Sequence, residues 1–196
     1  MLRRLIGNRI ERILGFLGAG LDRKGITPNQ LTFSGLAVNL AGAFFYFRGF
    51  IVLGGFIILF GGLFDMLDGA VARSAEKASK TGAFLDSVVD RYSDFVIFGG
   101  ILLFYAADGD LNGTIISLFI ISGSFLVSYT RARAELVIPK CDVGLMERPE
   151  RIILLSAGSI LGFFYLALWL LAVLTHLTAI YRILHTLRTI KGLKKR

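Results

Sequence analysis

The sequence predicts an all-α integral membrane protein, with six transmembrane helices and an N-terminal amphipathic interfacial helix. Of its 196 residues, 55% are hydrophobic, and the mean hydropathy of +0.69 is too high for a soluble domain of this size. Long apolar runs follow one another with only short polar breaks between them. Because no linker rich in Pro or Ser separates these runs, we expect residues 1–196 to form a single membrane domain.

The first 25 residues predict the helix on the membrane surface. Apolar residues recur at spacings of three or four: Leu2, Ile6, Ile10, Ile13 and Leu17. Arginines lie between them, which is typical of an amphipathic helix parallel to the membrane. A signal peptide is the alternative, but Arg9, Glu11 and Arg12 interrupt the apolar core that it requires.

The six predicted spans form a bundle over residues 31–187. They are Leu31–Phe47, Ile51–Leu67, Gly82–Tyr105, Thr114–Tyr129 and two helices within Ile152–Leu187. A tight turn at Arg48–Phe50 separates the first two. The last run has 36 residues, whereas one span needs about 20, so we expect a turn near Trp169 to Leu171. Residues 188–196 predict a basic cytoplasmic tail.

Basic residues lie almost entirely on one side of this topology. That side holds Arg3, Arg4, Arg9, Arg12, Arg23, Lys24, Arg73, Lys77, Lys80, Arg131, Arg133, Lys140, Arg148, Arg151, Lys191, Lys194, Lys195 and Arg196. The opposite side has Arg48 alone. The positive-inside rule therefore places both termini in the cytoplasm of a multi-pass protein of the cell membrane. The net charge of +8 then indicates contact with anionic membrane lipids, and no nucleic-acid-binding motif is present.

Five aspartates lie in the otherwise apolar stretch from Phe64 to Asp94. They are Asp65, Asp68, Asp86, Asp90 and Asp94. A carboxylate costs roughly 2.5 to 3.5 kcal/mol at the centre of a span and less near the interface. Solvation at the cytoplasmic surface and pairing with Arg73 and Arg91 are the simple explanations. Two arginines cannot neutralise five acids, however, and three of the acids recur every four residues on one helix face.

The spacing of the acids favours a divalent-metal site near the cytoplasmic face. Asp65 and Asp68 end one predicted helix, while Asp86 and Asp90 begin the next, so a helical hairpin can bring all four together. Oxygen ligands of this kind suit Mg²⁺, Mn²⁺ or Ca²⁺, and four acids favour two ions that clamp a diphosphate. With one cysteine and two histidines in the chain, neither a disulfide framework nor a zinc site is expected.

These residues also form a recognisable motif. Asp65-x-x-Asp68-Gly69-x-x-Ala72-Arg73, then eight residues, then Gly82-x-x-x-Asp86-x-x-x-Asp90, resembles the signature of the CDP-alcohol phosphatidyltransferase family at all eight positions. The resemblance implies a homodimeric membrane enzyme with a cytoplasmic active site. In such an enzyme an alcohol displaces CMP from CDP-diacylglycerol or CDP-archaeol.

The resemblance also implies roles for individual residues. Asp65, Asp68 and Asp86 would ligate two ions, Mg²⁺ or Mn²⁺, and Asp90 would both ligate metal and act as the catalytic general base. The segment TPNQLT resembles the start of the family's first span. Residues implied in binding the CDP-lipid are Asn29, Thr32, Gly69, Ala72, Arg73 and Gly82. For Asn29 and Thr32, a Pro turn followed by a helix N-terminal cap is an equal alternative.

The segment from Ser128 to Ile152 bears on the acceptor alcohol. Its arginines can form a receptor for a phosphate on the acceptor, although an ordinary positive-inside loop also explains them. SYTRARAE and ERPER resemble the branch that makes phosphatidylinositol phosphate or its archaeal counterpart from inositol phosphate. That branch implies an acceptor-phosphate site drawn from Ser128, Arg131, Arg148, Arg151 and Arg182, with the choice between Arg148 and Arg151 left open. Glycerol 3-phosphate is the alternative acceptor.

Two other functional classes compete with an enzyme. Intramembrane acids also occur in divalent-cation transporters, but here they lie near one membrane face and no acids continue a path through the other spans. A non-catalytic membrane protein leaves the cost of five acids unexplained. Asp94 lies outside the family signature, and we expect a salt bridge to a nearby arginine to stabilise it.

Overall fold

The computed structural model describes residues 7–74 and 79–193, and all the regular secondary structure in these ranges is helical. The helices are α1 (Gly7–Arg23), α2 (Pro28–Phe47), α3 (Ile51–Ser74), α4 (Lys80–Ala107), α5 (Leu111–Ala134), α6 (Arg148–Ile160) and α7 (Phe164–Leu193). By length and composition, α2, α3, α5 and α7 can each cross a membrane. Helices satisfy their own backbone hydrogen bonds, as lipid requires. The fold therefore indicates a multi-pass membrane protein.

Local sequence explains where the first helices start and stop. Thr27 caps α2 by accepting a hydrogen bond from the backbone of Gln30, whose side chain accepts one from the backbone of Thr27. Pro28 follows at the first helical position, where its missing N–H is harmless. At the other end of α2, Gly49 takes a φ of 79°, a left-handed conformation that glycine adopts without strain. The predicted turn at Arg48–Phe50 is confirmed.

The position of the last turn was predicted wrongly. Trp169 and Leu171 lie inside α7, and the chain breaks instead at residues 161–163, between α6 and α7. Gly162 has a φ of 81° there, so a glycine does mark the turn. The error came from dividing an apolar run into equal halves. The true division gives a helix of 13 residues and one of 30, which are about 20 Å and 45 Å long.

Several other helix boundaries differ from the prediction. α3 continues past the expected end at Leu67 to Ser74, so its aspartates lie within a continuous helix. The polar segment expected from Thr130 to Arg151 shrinks to residues 135–147. α7 runs to Leu193, and the described part of the predicted tail is therefore helical. Residues 1–6 of the predicted surface helix, Lys77, and tail residues 194–196 lie outside the described ranges.

Helix packing positions the aspartates and arginines. α2 packs against α3 and α4, α6 against α3 and α7, and α5 against α4 and α7, while α1 packs against α3. The shared core includes Tyr46, whose hydroxyl lies 2.7 Å from that of Ser159. Large side chains such as Phe56 and Phe60 face outwards, with 54% and 55% exposure, as expected for surfaces in contact with lipid. This arrangement brings the N-terminus of α6 beside the aspartates of α3 and α4.

Candidate active site

Residues from α2, α3 and α4 surround a cavity of about 350 Å³ that we call the glycine cavity. All six residues expected to bind the CDP-lipid line it: Asn29, Thr32, Gly69, Ala72, Arg73 and Gly82. A Cβ atom on Gly69 would lie 3.3 Å from Arg73 Nη1, and one on Gly82 would lie 3.1 Å from Ser79 Oγ. A larger residue at Gly69 would therefore press on Arg73, and a larger residue at Gly82 would press on Ser79. Both would reduce the space in the cavity.

The helix cap at the start of α2 is Thr27. Asn29 and Thr32, for which a capping role was the alternative, instead line the glycine cavity. The Thr32 hydroxyl donates a hydrogen bond to Asp68 Oδ2 at 2.8 Å. Asp68 is only 5% exposed, so this contact orients one of the predicted metal ligands towards the cavity.

A second space of about 320 Å³, the carboxylate cavity, is lined by Asp65, Asp86, Asp90 and Arg148 together with apolar residues of α3 and α6. Arg148 Nη1 lies 2.5 Å from both Asp65 Oδ2 and Asp90 Oδ1. The guanidinium from α6 therefore links the carboxylates of α3 and α4.

Arg148 and Arg151 change the charge balance that was expected for the aspartates. Sequence reasoning offered Arg73 and Arg91 as partners. In the structure Arg91 lies 3.6 Å from Asp90 and donates a hydrogen bond to a backbone carbonyl. The closer partners come from α6, because Arg148 binds two aspartates and Arg151 binds Asp94 at 2.5 Å. The expected arginine partner of Asp94 is thus confirmed.

The predicted metal ligands fit a divalent ion by chemistry. Asp65, Asp68, Asp86 and Asp90 supply only carboxylate oxygens, which Mg²⁺ and Mn²⁺ prefer. Within residues 7–74 and 79–193, no three acidic, His or Cys side chains are grouped as ligands of one ion. Arg148 instead pairs with two of the four acids. A metal ion and Arg148 would therefore compete for the same oxygens.

A third space of about 180 Å³, the arginine cavity, lies between the first half of α4, the C-terminal part of α5, the start of α6 and the second half of α7. The five residues expected to hold an acceptor phosphate all line it: Ser128, Arg131, Arg148, Arg151 and Arg182. With Arg91, five arginines face three carboxylates, Asp90, Asp94 and Glu147. The excess of positive charge suits a phosphate, which guanidinium groups bind through paired hydrogen bonds.

Arg182 is held firmly although it lies on an apolar helix. It is 2% exposed and donates hydrogen bonds to the carbonyls of Val127 at 2.7 Å and Val143 at 2.8 Å. Its third partner is Glu147, at 3.0 Å. These contacts satisfy a buried charge that would otherwise be very costly.

Glu147 is a site residue that sequence reasoning missed. It also accepts a hydrogen bond from Arg131 at 3.1 Å, and it thereby connects α5 with α7. Arg131 pairs further with Glu135 at 3.0 Å and Asp142 at 3.2 Å. The pKa of Asp142 lies below its usual range because Lys140 hydrogen-bonds to the carboxylate. The partners of Glu147 lie 16 and 35 residues away in the chain, so no local spacing predicted these contacts.

Neighbouring cavities share lining residues. Asp86 lines both the glycine cavity and the carboxylate cavity. Asp90 and Arg148 line both the carboxylate cavity and the arginine cavity. The fold and these cavities define a membrane protein with a carboxylate cluster between two spaces suited to phosphate-bearing ligands.

Comparison with known proteins identifies the family. The family model for CDP-alcohol phosphatidyltransferase matches residues 25–187. Archaetidylinositol phosphate synthase of Pyrococcus horikoshii is 38% identical over 176 residues, covering 89% of this chain and 91% of the relative. Phosphatidylinositol phosphate synthase of Streptomyces avermitilis is 37% identical over 198 residues, with coverage of 93% and 81%. The chain therefore belongs to the CDP-alcohol phosphatidyltransferase family and is an enzyme of that class.

Solved structures agree with this assignment. The crystal structure of Mycobacterium tuberculosis phosphatidylinositol phosphate synthase with CDP-DAG bound matches with a TM-score of 0.79 and 35% identity, covering 89% of this chain and 93% of that one. A structure of the same enzyme in complex with manganese and citrate also matches with a TM-score of 0.79, covering 90% and 89%. The sequence-based recognition of the family is confirmed.

Proposed function

We propose that this enzyme transfers a phosphatidyl or archaetidyl group from CDP-diacylglycerol or CDP-archaeol to inositol 1-phosphate, with release of CMP. The observation that carries the proposal is the series of three cavities joined at Asp86 and Asp90. A CDP group in the glycine cavity would direct its diphosphate towards the carboxylates. An acceptor phosphate in the arginine cavity would direct its alcohol towards the same place.

The reaction follows from this juxtaposition. The hydroxyl oxygen of the acceptor attacks the phosphorus that carries the lipid, and the bond from that phosphorus to the bridging oxygen of the diphosphate breaks. CMP leaves with the bridging oxygen. Asp90 takes the proton of the attacking hydroxyl as general base, a role supported by its position on the boundary between two cavities.

Asp65, Asp68, Asp86 and Asp90 would hold two divalent ions, Mg²⁺ or Mn²⁺. When bound, these ions supply positive charge that neutralises the diphosphate and the leaving CMP. The support is the all-carboxylate donor set and the manganese found in the similar mycobacterial enzyme. Arg73, which lines the glycine cavity, would add a fixed positive charge from the protein.

The specificity for a phosphorylated acceptor rests on the arginine cavity. Ser128, Arg131, Arg151 and Arg182 would bind the acceptor phosphate, while Arg148 would reach it from the boundary with the carboxylates. Two relatives are named as synthases of inositol-containing lipids, which favours inositol 1-phosphate. Glycerol 3-phosphate also carries a phosphate and is the second candidate.

The membrane arrangement completes the proposal. We propose that α4 and α6 lie in the membrane with the four apolar helices, which gives six spans, cytoplasmic termini and a cytoplasmic active site. Because α6 is about 20 Å long and the bilayer core is about 30 Å thick, its N-terminal end and Arg148 would lie below the cytoplasmic surface of the membrane. We further propose that α1 lies in the membrane interface, because Ile13, Phe16 and Leu17 are 59%, 80% and 46% exposed on its surface. Resemblance to the family supports a homodimer.

The test uses purified full-length protein in lipid nanodiscs with Mg²⁺. CDP-diacylglycerol and CDP-archaeol are each combined with inositol 1-phosphate, glycerol 3-phosphate, inositol or serine, and CMP release is measured. We expect fast release with inositol 1-phosphate and little with unphosphorylated inositol. Preference for glycerol 3-phosphate would reassign the acceptor, and no release with any alcohol would contradict the proposed reaction.

A further inference from the structure

Asp94 has no part in the proposed reaction, yet its carboxylate lies within 3.6 Å of two arginine side chains. It follows Asp90 by one turn of α4 and is only 5% exposed. The family signature ends at Asp90. A buried carboxylate requires a compensating partner, and the identity of that partner shows what Asp94 does.

Two arginines of α6 converge on Asp94. Its Oδ2 accepts a hydrogen bond from Arg151 Nη2 at 2.5 Å, and its Oδ1 lies 3.6 Å from Arg148 Nε. Arg151 Nη1 donates to the carbonyl of Met146 at 2.9 Å. Arg151 is thus fixed at both terminal nitrogens, and its side chain is 2% exposed.

One buried polar atom in each of Asp94, Arg148 and Arg151 lacks a hydrogen-bond partner. In the described part of the chain, Arg148 Nε, Arg151 Nε and Asp94 Oδ1 are buried and form no hydrogen bond. Buried donors are seldom left unpaired in proteins. Because Arg148, Arg151 and Asp94 all line the arginine cavity, the two unpaired donors lie beside a space suited to an anion.

Asp94 also gives Arg151 a partner other than Asp90. Asp90 already faces Arg148 at 2.5 Å and Arg91 at 3.6 Å. A third guanidinium at Asp90 would occupy the oxygen that must accept a proton. Asp94 offers Arg151 a carboxylate at 2.5 Å, so Arg151 stays beside the arginine cavity.

We infer that Asp94 is a positioning residue for the transfer reaction: it holds Arg151 in the arginine cavity and away from Asp90, without contacting either substrate. The inference rests on the proposed function, because it assigns the arginine cavity to the acceptor. Fixing a long side chain in advance reduces the entropy lost when a ligand binds. Loss of Asp94 should therefore affect acceptor binding far more than CDP-lipid binding.

The experiment compares Asp94→Asn with Asp94→Glu in full-length enzyme in nanodiscs. For Asp94→Asn we expect the KM for inositol 1-phosphate to rise by about 10- to 100-fold, as for a lost charge-assisted contact, with the KM for the CDP-lipid within about twofold of wild type. Asp94→Glu keeps the carboxylate and should recover most of this loss. Asp108→Asn, at the far end of α4, is the matched control and should leave both constants unchanged.

A double variant separates positioning from folding. Asp94→Leu combined with Arg151→Met replaces the buried ion pair with apolar side chains, an exchange that is often neutral for stability. We expect this variant to fold and to show the same acceptor KM as Arg151→Met alone, because Asp94 acts on the acceptor only through Arg151. If Asp94→Asn does not fold, this comparison and Asp94→Glu still give the answer.

The outcomes distinguish this inference from the proposed function. If wild-type enzyme releases CMP with no phosphorylated alcohol, the proposed function fails before any variant is compared. If wild type is active but folded Asp94→Asn keeps the wild-type acceptor KM and loses only thermal stability, Asp94 has a purely structural role and the inference is overturned. A double variant whose acceptor KM lies well above that of Arg151→Met would show that Asp94 does not act through Arg151 and would overturn it too. Equal increases in the KM for both substrates would overturn it as well.

Discussion

The glycine cavity and the arginine cavity are built in opposite ways. The glycine cavity is the larger, about 350 Å³ against about 180 Å³. It gains its space from positions without side-chain bulk, such as Gly69 and Gly82, and its lining contains one arginine, Arg73. The arginine cavity is crowded with guanidinium groups that are tied to carboxylates and carbonyls. One cavity provides room for a nucleotide, while the other provides a fixed positive charge for a small anion.

The two cavities also differ in how the chain builds them. The glycine cavity draws on α2, α3 and α4, which are consecutive helices. The arginine cavity draws on α4, α5, α6 and α7 and the loop before α6. Asp90 lines the arginine cavity and the carboxylate cavity, and the carboxylate cavity shares Asp86 with the glycine cavity. Substitutions should therefore separate the two binding functions, except at Asp90, where the two functions meet.

The largest effect is expected for Asp90→Asn. The amide has the shape of the carboxylate but cannot accept the acceptor's proton, and general-base catalysis typically contributes about 10²- to 10⁴-fold. We expect CMP release to fall by about 10³-fold or more, while CDP-diacylglycerol still binds in an equilibrium assay. An equal loss of turnover and of CDP-lipid binding would mean that Asp90 acts mainly through the metal.

The next largest effect is expected for Arg182→Met. The substitution removes three hydrogen bonds, those to Glu147 and to the carbonyls of Val127 and Val143, which should destabilise the fold by about 3 kcal/mol. The thermal unfolding midpoint in detergent measures the change. Arg188→Met, on the exposed side of the same helix, is the control. Equal midpoints for the two variants would show that the network around Arg182 does not stabilise the protein.

Arg148→Gln should change metal binding. Because Arg148 pairs with Asp65 and Asp90, a divalent ion must displace a charge-assisted contact worth about 1.5–3 kcal/mol. We expect Mn²⁺ to bind at least about tenfold more tightly to Arg148→Gln, as measured by calorimetry without substrate. Arg133→Gln should retain the wild-type affinity. Weaker Mn²⁺ binding to Arg148→Gln would indicate that Arg148 supports the ion rather than competing with it.

Gly69→Val should weaken CDP-lipid binding by a smaller factor, about tenfold. The new side chain fills part of the glycine cavity and pushes against Arg73, since a Cβ atom there lies 3.3 Å from Nη1. An equilibrium binding assay with CDP-diacylglycerol measures the loss. Gly99→Val is matched in residue type and in its position on a helix, and no atom lies within 4 Å of its added Cβ. Similar losses in both variants would point to a general effect on the helices.

The same contrast explains what the sequence could predict. The residues of the glycine cavity follow a motif of fixed spacing within two helices, so the spacing itself brings Gly69, Arg73 and Gly82 together. Resemblance named five residues for an acceptor site, and they line one cavity, but their partners in the structure could not be predicted. Glu147 and Asp94 bind arginines that are distant in the chain, and only tertiary packing determines such pairs.

The fold shows a similar limit. Apolar runs predicted the helices, and the tight turn at Arg48–Phe50 followed from the break that Arg48 and Gly49 make between two of these runs. The turn at Gly162 was missed because a single glycine inside an apolar run resembles the many glycines that lie within helices, such as Gly55 and Gly158. Packing against neighbouring helices, rather than composition, determines which glycine interrupts the helix.

The most direct test measures both KM values in two variants, Gly69→Val and Arg131→Gln. If the glycine cavity binds the CDP-lipid and the arginine cavity binds the acceptor phosphate, Gly69→Val will raise only the KM for CDP-diacylglycerol. Arg131→Gln will raise only the KM for inositol 1-phosphate. A rise in both constants for either variant, or the reverse assignment, would contradict the division of binding between the two cavities.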